Sequence, residues 1–292
     1  MESRKCLIVG VLNCTPDSFA DGGRWGSVDA AVAAGLAMVE AGADWVDVGG
    51  ESTRPRAPVV PVDEEIRRVV PVIERLAKEL GARARISIDT YKAETARAAL
   101  DVGASIVNDV SGGLLDPAIL GVAARAGAAV VLGHLRGEPA TMMDAVAFED
   151  VVAEVAGELG VRIAAAWEAG CQEVWADPGI GFGKRAEHSL ALLGELPGLI
   201  AALGVPVMVG VSRKSFLGHV TGKPVGERIL GTAAAVTASV LAGARAVRVH
   251  DVAEMHDVVR VALAIRDAGW STQSRTEAPL PRPGSIRSPS PP

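Results

Sequence analysis

Three polar side chains stand where apolar ones are expected. Asp89 ends the run RISID, Asn108 interrupts SIVNDV and Asp177 ends EVWAD. An uncompensated carboxylate or amide in such surroundings costs several kcal/mol, so these residues need a polar ligand. Ionised carboxylates only accept hydrogen bonds, whereas an amide both donates and accepts. Together the three suit a ring edge with adjacent N–H donors, such as an aminopyrimidinone. A second set is cationic: Arg54, Lys184, Arg213, Lys214 and Arg248, with His250. With the backbone N–H groups of SGG and of GIGFG, which contains Gly181, these could hold a diphosphate. Arg248 alternates with Val247 and Val249, so it points into the centre of the fold or toward its outer helices, and buried arginine is rare without an anion.

The elements that must position these groups are marked by punctuation. The phrases EAGADWVDVGG, DVGASIVNDVSGG, RAGAAVVLGHL and LAGARAVRVHDV each read as a helix ended by glycine, a short link and a buried strand. Strand candidates are CLIVGVLN, WVDVGG, RISIDT, SIVNDV, AVVLGHL, EVWADPG, PVMVGVS and AVRVHDV. Between them lie helical segments such as VDAAVAAGLAMVEAG, DEEIRRVVPVIERLAKEL and EDVVAEVAGELGVRIAAAWEAG. Eight βα units in roughly 270 residues predict a single α/β domain, a (β/α)₈ TIM barrel over residues 1–270 with its active site at the C-terminal ends of the strands. Those ends carry Asn13, Glu51, Asp89, Asn108 with Asp109, His134, Asp177, Ser212 with Lys214, and Arg248 with His250. Singly, each reads equally well as a helix cap. Residues 271–292 hold six prolines and five serines without apolar periodicity, which predicts a disordered tail.

Composition narrows the class further. With 49% hydrophobic but only 3% aromatic residues, the core is built from Val, Ala, Leu and Ile, as buried parallel strands require. The 29 basic and 35 acidic residues give a net charge of −6, which offers no broad footprint for nucleic acid or anionic membrane. Cys6, Cys14 and Cys171 have no CxxC spacing, so reduced thiols in a cytoplasmic protein are expected. No apolar run reaches the roughly 18 residues of a membrane span, and the N-terminus is too polar for a secretory signal.

From Val9 to about Ile265 the chain resembles the dihydropteroate synthase family through eight motifs in register: LNCTPDSFADGG, GGESTRPR, SIDTYKA, NDVSGG, HLRGEPATM, ADPGIGFGK, VSRKSFLG and RVHDV. The resemblance implies joining of a dihydropterin methyl diphosphate to p-aminobenzoate, with release of diphosphate. It implies that Asp89, Asn108, Asp177 and Lys214 hold the pterin, and that Asn13, Arg248 and His250 hold the diphosphate and its Mg²⁺. Thr53, Pro55, Phe182 and Ser215 should border the amine pocket, with Arg54 reaching the ligands from the same loop as Thr53. Asp89, Lys214 and Arg248 are the expected catalytic groups, and a homodimer is the implied assembly. The loops GGESTRPR and TPDSFADGGRWGS read as flaps that close over the diphosphate and amine.

Three departures from the family pattern stand out. Arg56 replaces a glycine after the ESTRP run, which bears on the flap and on affinity for the amine or its sulfonamide analogues. Gly133 and Leu135 replace methionines flanking His134, and Arg185 and Ser189 replace Thr and Asn. Two other readings share these residues: a methyltransferase on a related pterin-binding barrel, which would not need the SRK and RVH cations, and a pterin-binding regulator without turnover.

Overall fold

The computed structural model describes residues 5–15 and 23–269. The tail expected at 271–292 and most of the first flap lie outside them. In chain order the elements are β1 (Leu7–Asn13), α1 (Gly23–Glu40), β2 (Trp45–Gly49), α2 (Val62–Leu80), β3 (Arg85–Asp89), α3 (Ala93–Asp101), β4 (Ile106–Asp109), α4 (Ala118–Ala126) and β5 (Ala129–Gly133). They continue with α5 (Val151–Glu168), β6 (Val174–Asp177), α6 (Ala186–Gly194), α7 (Leu196–Leu203), β7 (Met208–Val209), α8 (Ser215–Thr221), α9 (Ile229–Leu241), β8 (Ala246–Val249) and α10 (Val252–Asp267). The eight strands pair in parallel in the order β6-β5-β4-β3-β2-β1-β8-β7. A bridge between Ala176 and Val207 joins β6 to β7 and brings the sheet almost to closure. The expected TIM barrel is therefore the fold observed.

Local chemistry accounts for the elements. On α2, Val69, Val72, Ile73, Leu76 and Leu80 recur at helical spacing and are buried, while Asp63, Glu64 and Glu65 occupy the positive N-terminal turn. Asp150 caps α5 by accepting from Val152 N at 3.1 Å and Ala153 N at 3.0 Å. The segment after β6 forms two helices because Pro197 cannot continue α6 and instead sits at the start of α7. The seventh strand is shorter than its apolar run because Pro206 has no N–H for the ladder, although its carbonyl still accepts from Ala176 N at 3.0 Å.

Strand residues alternate between two cores. Ile8, Val46, Ile88, Val107, Val130, Val209 and Val247 face the helices. Val9, Trp45, Ile106, Ala129, Val131, Trp175, Met208 and Ala246 fill the barrel. Trp45 and Trp175 meet edge to face at 5.0 Å, with Arg85 5.5 Å over the Trp45 ring and bonded to Glu173 at 2.9 Å. This plug seals the N-terminal end, so the C-terminal end is the open one. All three cysteines are buried and free, and burial pushes the Cys6 and Cys14 thiols up to about 12. Among the described residues no helix is long and apolar enough to cross a membrane.

Candidate functional site

The alternation that sends Trp45 into the barrel also sends Asp47 inward, two residues further along β2. The same parity turns Asp89, Asn108, Asp177 and Arg248 toward the axis from β3, β4, β6 and β8. Arg248 joins the acids. Its Nε donates to Asp47 Oδ2 at 2.6 Å and its Nη2 to Asp89 Oδ2 at 2.6 Å, while Asn108 Nδ2 donates to Asp47 Oδ2 at 2.9 Å. Asp47 is 1% exposed, and its Oδ1 has no partner. One guanidinium thus serves two carboxylates, the buried Asp47 and the half-buried Asp89. Burial, together with repulsion from Asp47, raises the Asp89 carboxyl to about 7 despite the opposing pull of Arg248.

Above this layer lies a pocket open to solvent, lined among others by Asp89, Asn108, Asp177, Lys214, Arg248 and His250. Lys214 Nζ lies 3.7 Å from the centre of the Phe182 ring, and burial lowers this ammonium to about 8. Gly181 flanks the Lys214 stem, 3.3 Å from its Cδ measured from where a Cβ would stand. Asp177 is raised by burial and accepts from Gly179 N at 2.7 Å. His250 Nδ1 lies 3.0 Å from Ser212 Oγ, and burial lowers the imidazole to about 4. The pocket lining combines carboxylate and amide acceptors with cations, which suits a ring carrying N–H donors and an attached anion.

The expected residues do not all converge. Asp89, Asn108, Asp177, Phe182, Lys214, Arg248 and His250 line the one pocket. Thr53, Arg54 and Pro55 stand outside that lining, with Arg54 and Pro55 exposed in the loop after β2. Ser215 opens α8 and is exposed. Asn13 ends β1 facing inward by strand parity, in register with Gly49. Among the cations read as anion ligands, Lys184 is instead fully buried, held by His134 and backbone carbonyls. Arg213 pairs with Asp251 and so is not a free rim charge. His134 is also buried away from the mouth, bonded to Glu158 at 3.1 Å.

Asp47 was missed by sequence reasoning. Its signal was present: an acid between Val46 and Val48 shows the same alternation that singled out Arg248 between two valines. Glu51 is not a ligand group but the anchor of its loop. It accepts from Val60 N at 3.0 Å, Tyr91 Oη at 2.8 Å and Lys92 Nζ at 2.5 Å, and Lys92 also reaches Glu65 at 2.7 Å. The polar stretch after WVDV therefore opens on a buried ionic knot, and its exposed tip is tied to the segment after β5 by the backbone bond from Arg56 N to Ala140 O.

Two departures acquire physical reasons. A Cβ at Gly133 would lie 2.6 Å from Val110 O and within 2.8 Å of two other Val110 backbone atoms, so a larger residue requires a different backbone. Leu135 fills the space beneath, packed with Val110 and Met142. Arg56 has φ 63, in the left-handed region where glycine is at ease, and its N–H donates to Ala140 O at 3.0 Å. Arg56→Gly is expected to change stability by less than about 1 kcal/mol, because relief of strain and added chain entropy oppose each other. If the flap that the resemblance implies is real, the same variant should change affinity for p-aminobenzoate more than for the pterin, and equal changes in both KM values would contradict it.

The donor set tests whether a divalent cation fits. Among the described residues no group of three His, Cys, Asp or Glu side chains could hold a metal ion. Asn13 supplies one neutral oxygen, which suits Mg²⁺ that arrives with phosphate oxygens and keeps several waters, rather than a resident ion in a protein cage.

A family model described as pterin binding enzyme matches residues 9–250. The dihydropteroate synthase of Synechocystis sp. is 43% identical over 270 residues, covering 91% of each chain. The structure of Xanthomonas albilineans dihydropteroate synthase with 4-aminobenzoic acid superposes with a TM-score of 0.83 at 45% identity, over 90% of this chain and 93% of that one. The same enzyme in complex with 7,8-dihydropteroate gives 0.80 at 42% identity, over 91% of this chain and 95% of that one.

Proposed function

From the premise that this chain belongs to the pterin-binding enzymes, and among them to the dihydropteroate synthases, we propose how its residues perform that reaction. The reaction is the condensation of 6-hydroxymethyl-7,8-dihydropterin diphosphate with p-aminobenzoate to 7,8-dihydropteroate and diphosphate. The observation that carries the reading is the layer in which Asp47, Asp89 and Asn108 meet Arg248 beneath a pocket lined by Asp177 and Lys214.

In this reading Asn108 and Asp177 take the amino and ring N–H edge of the pterin, and Lys214 donates to its acceptor side. Asp89, ionised, stands beside the ring. The carbon–oxygen bond to diphosphate breaks with its electron pair leaving on the diphosphate, and the resulting ring-stabilised cation is favoured by the Asp89 carboxylate. Arg248, Lys214 and His250 receive the departing charge. The amine nitrogen of p-aminobenzoate then forms the new carbon–nitrogen bond and loses its proton to water. An aromatic amine is neutral at pH 7, so no strong general base is needed. Mg²⁺, held by Asn13 together with the diphosphate oxygens, would neutralise leaving-group charge.

Thr53, Arg54 and Pro55 belong to this scheme as residues brought over the amine by closure of the β2 loop, and Ser215, at the start of α8, borders the amine. Phe182, already at the pocket wall, and Gly181 border the same space. The chain acts as a homodimer in this proposal.

The test is diphosphate release by the purified protein with the dihydropterin diphosphate and Mg²⁺, with and without p-aminobenzoate. Amine-dependent release with formation of dihydropteroate is expected. Pterin binding without any release would favour the regulator reading instead.

A further inference from the structure

Lys184 has no part in the reaction as described, yet it is among the most deeply buried side chains of the protein, 1% exposed. Its Nζ lies 2.8 Å from His134 Nδ1, 3.2 Å from His134 O, 3.1 Å from Gly179 O and 3.1 Å from Phe182 O. Four acceptors surround a group with at most three N–H bonds. All four come from the segments that follow β5 and β6. Burial and the neighbouring cations push His134 down to about 2, so its imidazole is neutral. Nδ1 then accepts from Lys184 and Nε2–H donates to Glu158 Oε2 at 3.1 Å. Arg136 holds Glu158 from the other side at 2.9 Å.

What hangs from this nitrogen is part of the pocket. Gly179, whose carbonyl it binds, gives its own N–H to Asp177 Oδ1 at 2.7 Å. A Cβ at Gly179 would stand 2.0 Å from His134 O, so this loop already runs as close to the β5 segment as backbone allows. Phe182, whose carbonyl it also binds, seats the Lys214 ammonium at 3.7 Å on its ring. A buried ammonium is costly to keep. Here its contacts fix the Gly179 backbone that bonds Asp177 and the Phe182 backbone whose ring seats Lys214.

We propose that Lys184 is a positioning residue of the pterin pocket: it locks the loop of residues 178–183 so that Asp177 and Lys214 keep their binding geometry. The proposal rests on the pterin reading above. It is tested by titrating 6-hydroxymethylpterin into wild type, Lys184→Met and Lys184→Gln, with steady-state kinetics on the same preparations. Wild type is expected to bind. Lys184→Met should bind at least tenfold more weakly and raise the KM for the dihydropterin diphosphate to match, with the KM for p-aminobenzoate within threefold. Lys184→Gln, whose amide can still donate to two of the carbonyls, should fall between the two.

Affinity within twofold of wild type in a folded Lys184→Met would overturn the proposal, as would a loss of folding in both variants, which would assign Lys184 to stability alone. Failure of the wild-type protein to bind the probe would instead count against the pterin reading itself.

Discussion

Asp89→Asn is expected to lower turnover about 10²–10³-fold, the range for removing one preorganised electrostatic group, while the protein stays folded. The carboxylate contributes only when ionised, and its burial beside Asp47 raises it to about 7. Activity limited by Asp89 should therefore rise with pH through about 7 in wild type and lose that acid limb in the variant. An alkaline limb near 8 is expected as the buried Lys214 loses its proton. The narrow bell between these limits belongs to the coupled site as a whole. Stability adds a second readout. A carboxyl raised in the folded state contributes stability that is fully present below its ordinary value of 3.8 and is lost as pH rises through about 7. Asparagine cannot ionise, so the stability of Asp89→Asn should fall less between pH 5 and 8 than that of wild type. Wild-type turnover in this variant would remove Asp89 from the mechanism, and parallel urea-unfolding curves across that pH range would remove its ionisation from the stability account.

Arg248→Met is expected to destabilise the protein by about 3–5 kcal/mol at pH 8, because breaking a buried ion pair leaves uncompensated charge. The guanidinium is the shared partner of Asp47 and Asp89, at 2.6 Å from each. Its removal leaves Asp47, with one oxygen already unpartnered, beside a second acid. Without the cation Asp89 holds its proton to higher pH, so the loss should shrink toward pH 5 and grow as that carboxyl ionises. Diphosphate release should also be lost, since this side chain receives leaving-group charge in the proposed reaction. Urea unfolding of the variant at pH 5, 6, 7 and 8 measures the trend. A loss that does not vary with pH, or one below about 1 kcal/mol, would mean that the pair is solvated, as surface pairs are.

These two predictions depend on different kinds of information. That Asp89 and Arg248 are out of place in apolar strands was legible from their neighbours alone: Ser87-Ile88 precedes Asp89, and Val247 and Val249 flank Arg248. A strand has a period of two, so each residue's face follows from its neighbours' faces. The eight strands were legible for the same reason, reinforced by the glycine that closes the preceding helix in four of them. Asp47 carried the same mark between Val46 and Val48, yet its role emerged only from its bonds to Arg248 and Asn108.

Sequence separation explains the remainder. Arg248 and Asp47 lie 201 residues apart, and Lys184 and His134 lie 50 apart. No local pattern encodes such pairings, because the first arises when the sheet curls and brings β8 beside β1, and the second when the segments after β5 and β6 pack together. Local sequence equally could not tell Lys184, caged beneath a loop, from Lys214 in the pocket wall, since both follow a strand at the same end of the barrel. The chain by itself determined the repeated βα units, the end of the barrel that carries chemistry and the residue types available there. Closure of the barrel decided which charges meet, which are buried out of reach and which remain free for a ligand, because direction and burial depend on packing between distant segments.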